Sequence, residues 1–323
     1  MEMDGLTLSQ YSGQHRVPGT QELIGGFEQD CTDRGLTGET TRHYVHVLKL
    51  FSRFVESQGI SPLDVDKYVL RNFIRHRRAG GVESKTLKNE LSALSAFYGY
   101  LCFEGLVQTN PISPVRKRFL KGYKGGLDDP QRKLISVGEM AKLVNSVLDP
   151  RDKAIILLLA KTGVRRGELI SMDVDDIDWA KQSIILKPKR KRSNRIVFFD
   201  DECARALKRW LKVRGELKPK TEALFVGAGW VRLKRNGVYS LVCKHAQRVG
   251  LHDSKSPKLE DHLTPHCFRH WFTTWLRKNG MSREFIQELR GDRRKEAIDI
   301  YDHIDRAELR KAYLACIPQL GVA

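Results

Sequence analysis

The sequence has few acids for its bases: 39 Asp and Glu stand against 57 Lys and Arg, a formal charge of +18 over 323 residues. Long apolar runs are absent. The longest, Ala154 to Ala160, is far too short to cross a bilayer. The six cysteines (Cys31, Cys102, Cys203, Cys243, Cys267, Cys316) form no CxxC pair. A zinc site and a disulfide framework are therefore not expected, and a reducing cytoplasm suits the chain better. Met1 to Arg16 is polar, without the apolar core of a signal peptide. No internal repeat and no low-complexity tract is visible. With 41% hydrophobic and 30% charged residues, the chain has the composition of a globular protein. Its length suits two domains. The basic excess points to a polyanion partner, because binding phosphates releases their condensed counterions.

Residues 1–18 read as a flexible N-terminus and 19–108 as a helical bundle. Tyr44, Val47, Leu48, Phe51, Phe54 and Val55 recur at helical spacing, as do Leu87, Leu91, Leu94, Phe97, Tyr98 and Leu101, with Gly105 as a stop. Around Leu63 to Arg78, Arg71 and Arg75 share a basic cluster with Arg77 and Arg78. In 109–133, Pro111, Pro114, Gly122, Gly125, Gly126 and Pro130 predict an extended linker. It carries Arg116, Lys117 and Arg118, which could follow DNA. Residues 134–323 form a second, mostly helical domain. Within it, Ser183 to Phe199 predicts a β-hairpin, two β-branched and aromatic runs around a polar turn. That turn and its flanks hold Lys187, Lys189, Arg190, Lys191, Arg192 and Arg195 without an acid, which favours a phosphate backbone as the compensating partner.

Thr162 to Leu169 reads TGVRRGEL: Gly163 ends an apolar helix, and Arg165 is expected in the first turn of the next, where free N–H groups favour an anion. Glu168 can hold its guanidinium. In Thr264 to Gly280, Thr264 caps, Pro265 starts the helix, and Phe268, Trp271, Phe272, Trp275 and Leu276 form its buried stripe. His266 and Arg269 are expected on another face, gripping one ligand. RKEAIDIYDHI (294–304) carries Tyr301 beside Asp302 and His303.

Together these four pieces, in this order, resemble the tyrosine recombinase (integrase) family, whose signature is a TGxRxxEL arginine, a hairpin lysine, an HxxR box and a C-terminal tyrosine nucleophile. Arg165, Lys189, His266, Arg269 and Tyr301 occupy those positions, with Lys191 as the alternative hairpin lysine. The resemblance spans nearly the whole chain, 19–108 looking like the family's SAM-like core-binding domain. It departs at Asp292, where the family usually has His or Trp nine residues before the tyrosine. An ionised carboxylate cannot donate to a phosphate. Either Asp292 orients Arg165 or Arg269, or Arg293 or His303 supplies the donor.

The resemblance implies cutting and rejoining of duplex DNA through a 3′-phosphotyrosine, with no metal, ATP or other cofactor. It further implies two domains closing as a C-shaped clamp on DNA, and a tetramer on two sites. The tail, 305–323, with Leu309, Tyr313, Cys316 and Ile317 as an apolar edge, is expected to dock on a neighbouring subunit or on its own domain. A type IB topoisomerase and a DNA-binding protein that has lost catalysis are the rival readings. Within the recombinases, an Xer-type dimer resolvase and a compact mobile-element integrase both fit, the 18 residues before Gly19 being expected to leave no room for an arm-binding domain. The Asp292 and YDHI pattern looks archaeal.

Overall fold

The computed structural model describes residues 18–119, 134–187, 195–292 and 304–322. The chain divides into two units, Met1–Leu127 and Asp128–Ala323, each with its own core.

The described part of the first unit is helical: α1 (Thr20–Asp33), α2 (Gly38–Glu56), α3 (Lys67–Ala79), α4 (Ser84–Phe103) and α5 (Ile112–Phe119). The α4 stripe read from spacing is buried throughout, from Leu87 to Leu101. Phe51 and Phe73 meet edge to face with ring centroids 5.0 Å apart, joining α2 to α3. The sequence predicts an extended chain where α5 lies, and this is corrected. Pro111 and Pro114 flank or enter its first turn, where backbone N–H groups have no intrahelical partner and proline is tolerated. The Asn110 side chain then accepts from the Ile112 N–H at 3.0 Å, and Ile112 and Val115 enter the first unit's core. Residues 120–133 lie outside the described residues.

In the second unit α6 (Val137–Asn145) precedes α7 (Pro150–Thr162), which is apolar on all sides and buried from Ala154 to Ala160. A helix of that kind belongs in the middle of a core. Around it lie α8 (Arg166–Leu169), α9 (Asp201–Leu217), α10 (Arg235–Arg248), α11 (Pro265–Lys278), α12 (Arg283–Arg290) and α13 (Arg306–Cys316). The expected hairpin is present as β2 (Ser183–Leu186) and β3 (Arg195–Phe198), antiparallel with Ile184 opposite Val197. A two-residue strand, β1 (Ile177–Asp178), adds a third member and was too short to read from periodicity. Among the described residues no helix is long and apolar enough to cross a membrane.

The C-terminal segment folds onto its own unit. Leu309, Tyr313, Cys316 and Ile317 are buried with Phe198, Phe272, Leu276 and Leu289. Beyond α13 the Leu320 and Val322 N–H groups donate to the Glu202 carboxylate at 2.9 and 2.8 Å. Within one chain this apolar edge is covered by its own domain, the second of the two placements expected for it.

Candidate active site

The α7–α8 junction places the first functional arginine. Gly163 ends α7 with φ +60°, and a Cβ there would lie 2.5 Å from the Phe272 ring. Both facts require glycine. The turn leaves Arg165 with extended backbone as the residue capping α8, one position before the first turn expected for it. The four residues of α8 supply little helix dipole. Arg165 is instead fixed by side chains. Its N–H donates to Glu168 Oε2 at 2.7 Å and its Nη1 to Oε1 at 3.3 Å.

Glu168 is shared. Arg195, expected to face DNA, is buried at 6% exposure and donates from Nη2 to Glu168 Oε2 at 2.8 Å and from Nη1 to Oε1 at 3.1 Å. That assignment is corrected: the first residue of β3 points inward, beneath Arg165. Burial alone would raise the Glu168 carboxyl. Arg195, the Arg165 N–H and the Arg165 charge outweigh it and hold the group below the ordinary carboxylate range.

Arg269 comes from α11 and is 4% exposed. Its Nη1 donates to the Gly163 carbonyl at 2.9 Å. Its Nη2 donates to the Arg290 carbonyl at 2.7 Å and to Asp292 Oδ1 at 3.1 Å. Burial first, then the charges of Arg165, Arg290 and Arg195, push its guanidinium down to about 9, against the pull of Asp292. It remains a cation at neutral pH. The Arg290 carbonyl, at the C-terminus of α12, also accepts from Arg195 Nη1 at 2.8 Å and from Arg165 Nη1 at 3.4 Å. The partial negative charge of a helix C-terminus suits a carbonyl serving three guanidiniums.

Asp292 completes the cluster. Its Oδ1 accepts from both Arg165 Nη2, at 3.4 Å, and Arg269 Nη2, while its Oδ2 pairs with Arg290 Nε at 2.9 Å. Two guanidiniums therefore converge on one carboxylate oxygen. Four arginines (Arg165, Arg195, Arg269, Arg290) face two carboxylates here, leaving the cluster positive and suited to an anion. Beside it opens a cleft of about 500 Å³ lined by Arg165, Arg166, Arg235, Tyr239, His266 and Arg269. His266 is exposed in the first turn of α11, its ring 4.8 Å from that of His270.

The structure thus brings together Arg165, His266, Arg269 and Asp292. Lys189, Lys191 and Arg192, in 188–194, and Tyr301, with Arg293 and His303, in 293–303, lie outside the described residues. Arg71 and Arg75 on α3 and Arg116, Lys117 and Arg118 on α5 belong to the first unit. These two helices pack together, with Arg71 over the Phe119 ring at 5.5 Å. Arg77 of the same cluster is paired with Glu90. Sequence reasoning missed the Gly163 and Arg290 carbonyls, which carry no residue signal, and the cleft residues Arg166, Arg235 and Tyr239.

Comparison with known proteins agrees with this geometry. The profile of the phage integrase family matches residues 136–308, and that of the phage integrase N-terminal SAM-like domain matches 26–105. Tyrosine recombinase XerC of Vibrio cholerae is 26% identical over 292 residues, covering 87% of this chain and 88% of that protein. XerC of Thermodesulfovibrio yellowstonii is 29% identical over 295 residues, covering 87% and 90%. Among solved structures, the Tn1549 transposon integrase in complex with a circular intermediate DNA superposes with a TM-score of 0.67 at 18% identity, over 90% of this chain and 98% of that one. A lambda integrase dimer bound to a COC′ core site gives 0.66 at 18%, over 88% and 98%. These two likenesses show the fold.

Proposed function

The chain belongs to the phage integrase family and is a site-specific tyrosine recombinase, and on that premise we propose how its own residues divide the reaction. One observation supports the assignment above the others: Arg165 and Arg269 donate to a single carboxylate oxygen, as two clamps on a non-bridging phosphate oxygen would.

In this reading duplex DNA displaces Asp292 from that point. The Tyr301 oxygen attacks the scissile phosphorus. A phosphorus–oxygen bond to the phenol forms as the bond to the 5′-oxygen breaks, leaving a 3′-phosphotyrosine and a free 5′-hydroxyl. Arg165 and Arg269 hold the charge that builds on the non-bridging oxygens. Lys189, or Lys191 if the crowded turn presents it instead, protonates the leaving 5′-oxygen. His266 accepts the phenol proton or hydrogen-bonds the phosphate. A phenol of reference pKa about 10 needs such cationic neighbours to react near neutrality. The energy of the broken bond is kept in the covalent intermediate, so attack by the partner strand's 5′-hydroxyl reverses the step without ATP or metal, as in the family. Asp292 keeps the two guanidiniums aligned in the absence of DNA.

Arg71, Arg75, Arg116, Lys117 and Arg118 of the first unit, with Lys191 and Arg192 of the hairpin turn, hold the DNA backbone. Strand exchange takes a tetramer on two sites. Dimer resolution on a chromosome or plasmid, or movement of a compact element, is the biological task, and the protein works in the cytoplasm on the nucleoid.

The test is to identify the bound sequence by sequencing DNA recovered with the purified protein, then to place two copies on one plasmid. Recombination is expected in the presence of a chelator and without ATP. Relaxation of a plasmid lacking the site, with no exchange, would favour a type IB topoisomerase and contradict this reading.

A further inference from the structure

We propose that Arg195 is a positioning residue for strand cleavage, which holds Arg165 in its phosphate-binding pose through Glu168 and the Arg290 carbonyl. The inference rests on the recombinase reading above.

A basic residue beside a lysine-rich turn is expected to meet DNA, yet the Arg195 guanidinium is enclosed by protein. Both of its Nη atoms donate to Glu168, and Nη1 also donates to the carbonyl that ends α12. The same two acceptors bind Arg165 at 3.3 and 3.4 Å. Arg195 therefore lies behind Arg165 and fixes the acceptors that orient it. Two further features show a site built around this side chain. Gly291 has φ +57°, and a Cβ at that position would stand 2.4 Å from Arg195 Nη1 and 2.7 Å from its Cδ. Glycine is thus what allows the guanidinium to reach the helix end. Glu168, 8% exposed, would be a buried carboxylate without a full set of donors if Arg195 were absent. Arg195 also opens β3, directly after 188–194 and opposite Leu186, so it anchors the hairpin that carries the expected general acid to the arginine cluster.

Lysine cannot replace such a fork, because it lacks the planar donors that bind a carboxylate two at a time. Single-turnover formation of the covalent adduct on a nicked suicide substrate should be about 100-fold slower in Arg195→Lys, the scale of one misplaced oxyanion donor. DNA affinity and its salt dependence should stay within about threefold of wild type, since no phosphate contact is lost. A scissile methylphosphonate lacks the negative non-bridging oxygen that Arg165 holds. On that substrate the gap should shrink to under about tenfold. Glu168→Gln, which disturbs the same contact from the other side, should show the same shrinkage, and the double variant should be no slower than the worse single one.

Wild-type cleavage by Arg195→Lys, weakened DNA binding with a shallower salt dependence, or an equal gap on both substrates would each overturn the inference; the last would mark general damage to the fold. A wild-type chain that forms no adduct overturns the recombinase reading and this inference together. An adduct with an unaffected Arg195→Lys overturns this inference alone.

Discussion

Arg269→Ala is expected to form the covalent adduct on the order of 1,000-fold more slowly than wild type, at saturating DNA, because it removes a donor aimed at developing charge. The argument begins with burial. Arg269 is 4% exposed, and its donors are already committed to the Gly163 and Arg290 carbonyls and to Asp292. Those partners hold the guanidinium in place before DNA arrives, so little reorganisation is needed as negative charge builds. Alanine removes the cation, takes the side-chain donor from the Gly163 carbonyl and removes one of three guanidiniums from the Arg290 carbonyl. The loss should therefore exceed that of an exposed arginine in the cleft, such as Arg235→Ala. Most of the effect should appear in the rate at saturating DNA rather than in affinity, because non-specific affinity is spread over many phosphate contacts. Single-turnover kinetics with the suicide substrate reads this directly. A rate within tenfold of wild type would remove Arg269 from the chemistry.

The second large effect is on stability. Lys161 is fully buried in α7, and its Nζ donates to Asp200 and Glu202, each at 2.5 Å, and to the Pro318 carbonyl at 2.7 Å. Glu202 in turn accepts the Leu320 and Val322 N–H groups, so one ammonium ties the end of the chain to the helix leading into Arg165. Lys161→Met leaves two buried carboxylates without their cation, and we expect a loss of about 3–5 kcal/mol. Equilibrium denaturation should report it. The pH dependence has a definite sign. Burial would raise Glu202, but Lys161 and the tail N–H groups lower it in the folded protein. A carboxyl depressed on folding contributes stability above its unfolded pKa and loses it as pH falls through the folded one. Removing Lys161 takes away the largest influence that lowers Glu202, so this acid-sensitive contribution shrinks: the variant's deficit should narrow as pH falls through the carboxylate range, giving a shallower acid limb. An unchanged acid limb would contradict this account of the cluster.

How much of this was legible beforehand depends on how local the signal was. The α4 stripe, the hairpin and the α7 core could be read because periodicity and apolar runs report burial directly. Arg165, His266 and Arg269 could be read because each sits in a short motif. The linker reading failed at α5 because Pro111 and Pro114 were counted as breakers without regard to their place near a helix start. Arg195 was misjudged because charge density cannot distinguish an arginine facing solvent from one facing a buried glutamate. Asp292 could be named but its partners could not, since Arg165 and Arg269 reach it across 127 and 23 residues of sequence. The Arg290 carbonyl was invisible: every residue has one, and only the end of α12 turns this one toward three guanidiniums.

The central claim is a covalent bond between the Tyr301 phenol and a DNA phosphate. It is tested most directly by trapping wild-type protein on a suicide substrate, digesting the complex and locating the nucleotide-bearing peptide by mass spectrometry. The account predicts a single phosphotyrosine at Tyr301, attached to a 3′-end, and no adduct from Tyr301→Phe. An adduct on any other residue, or one that persists in Tyr301→Phe, would contradict it.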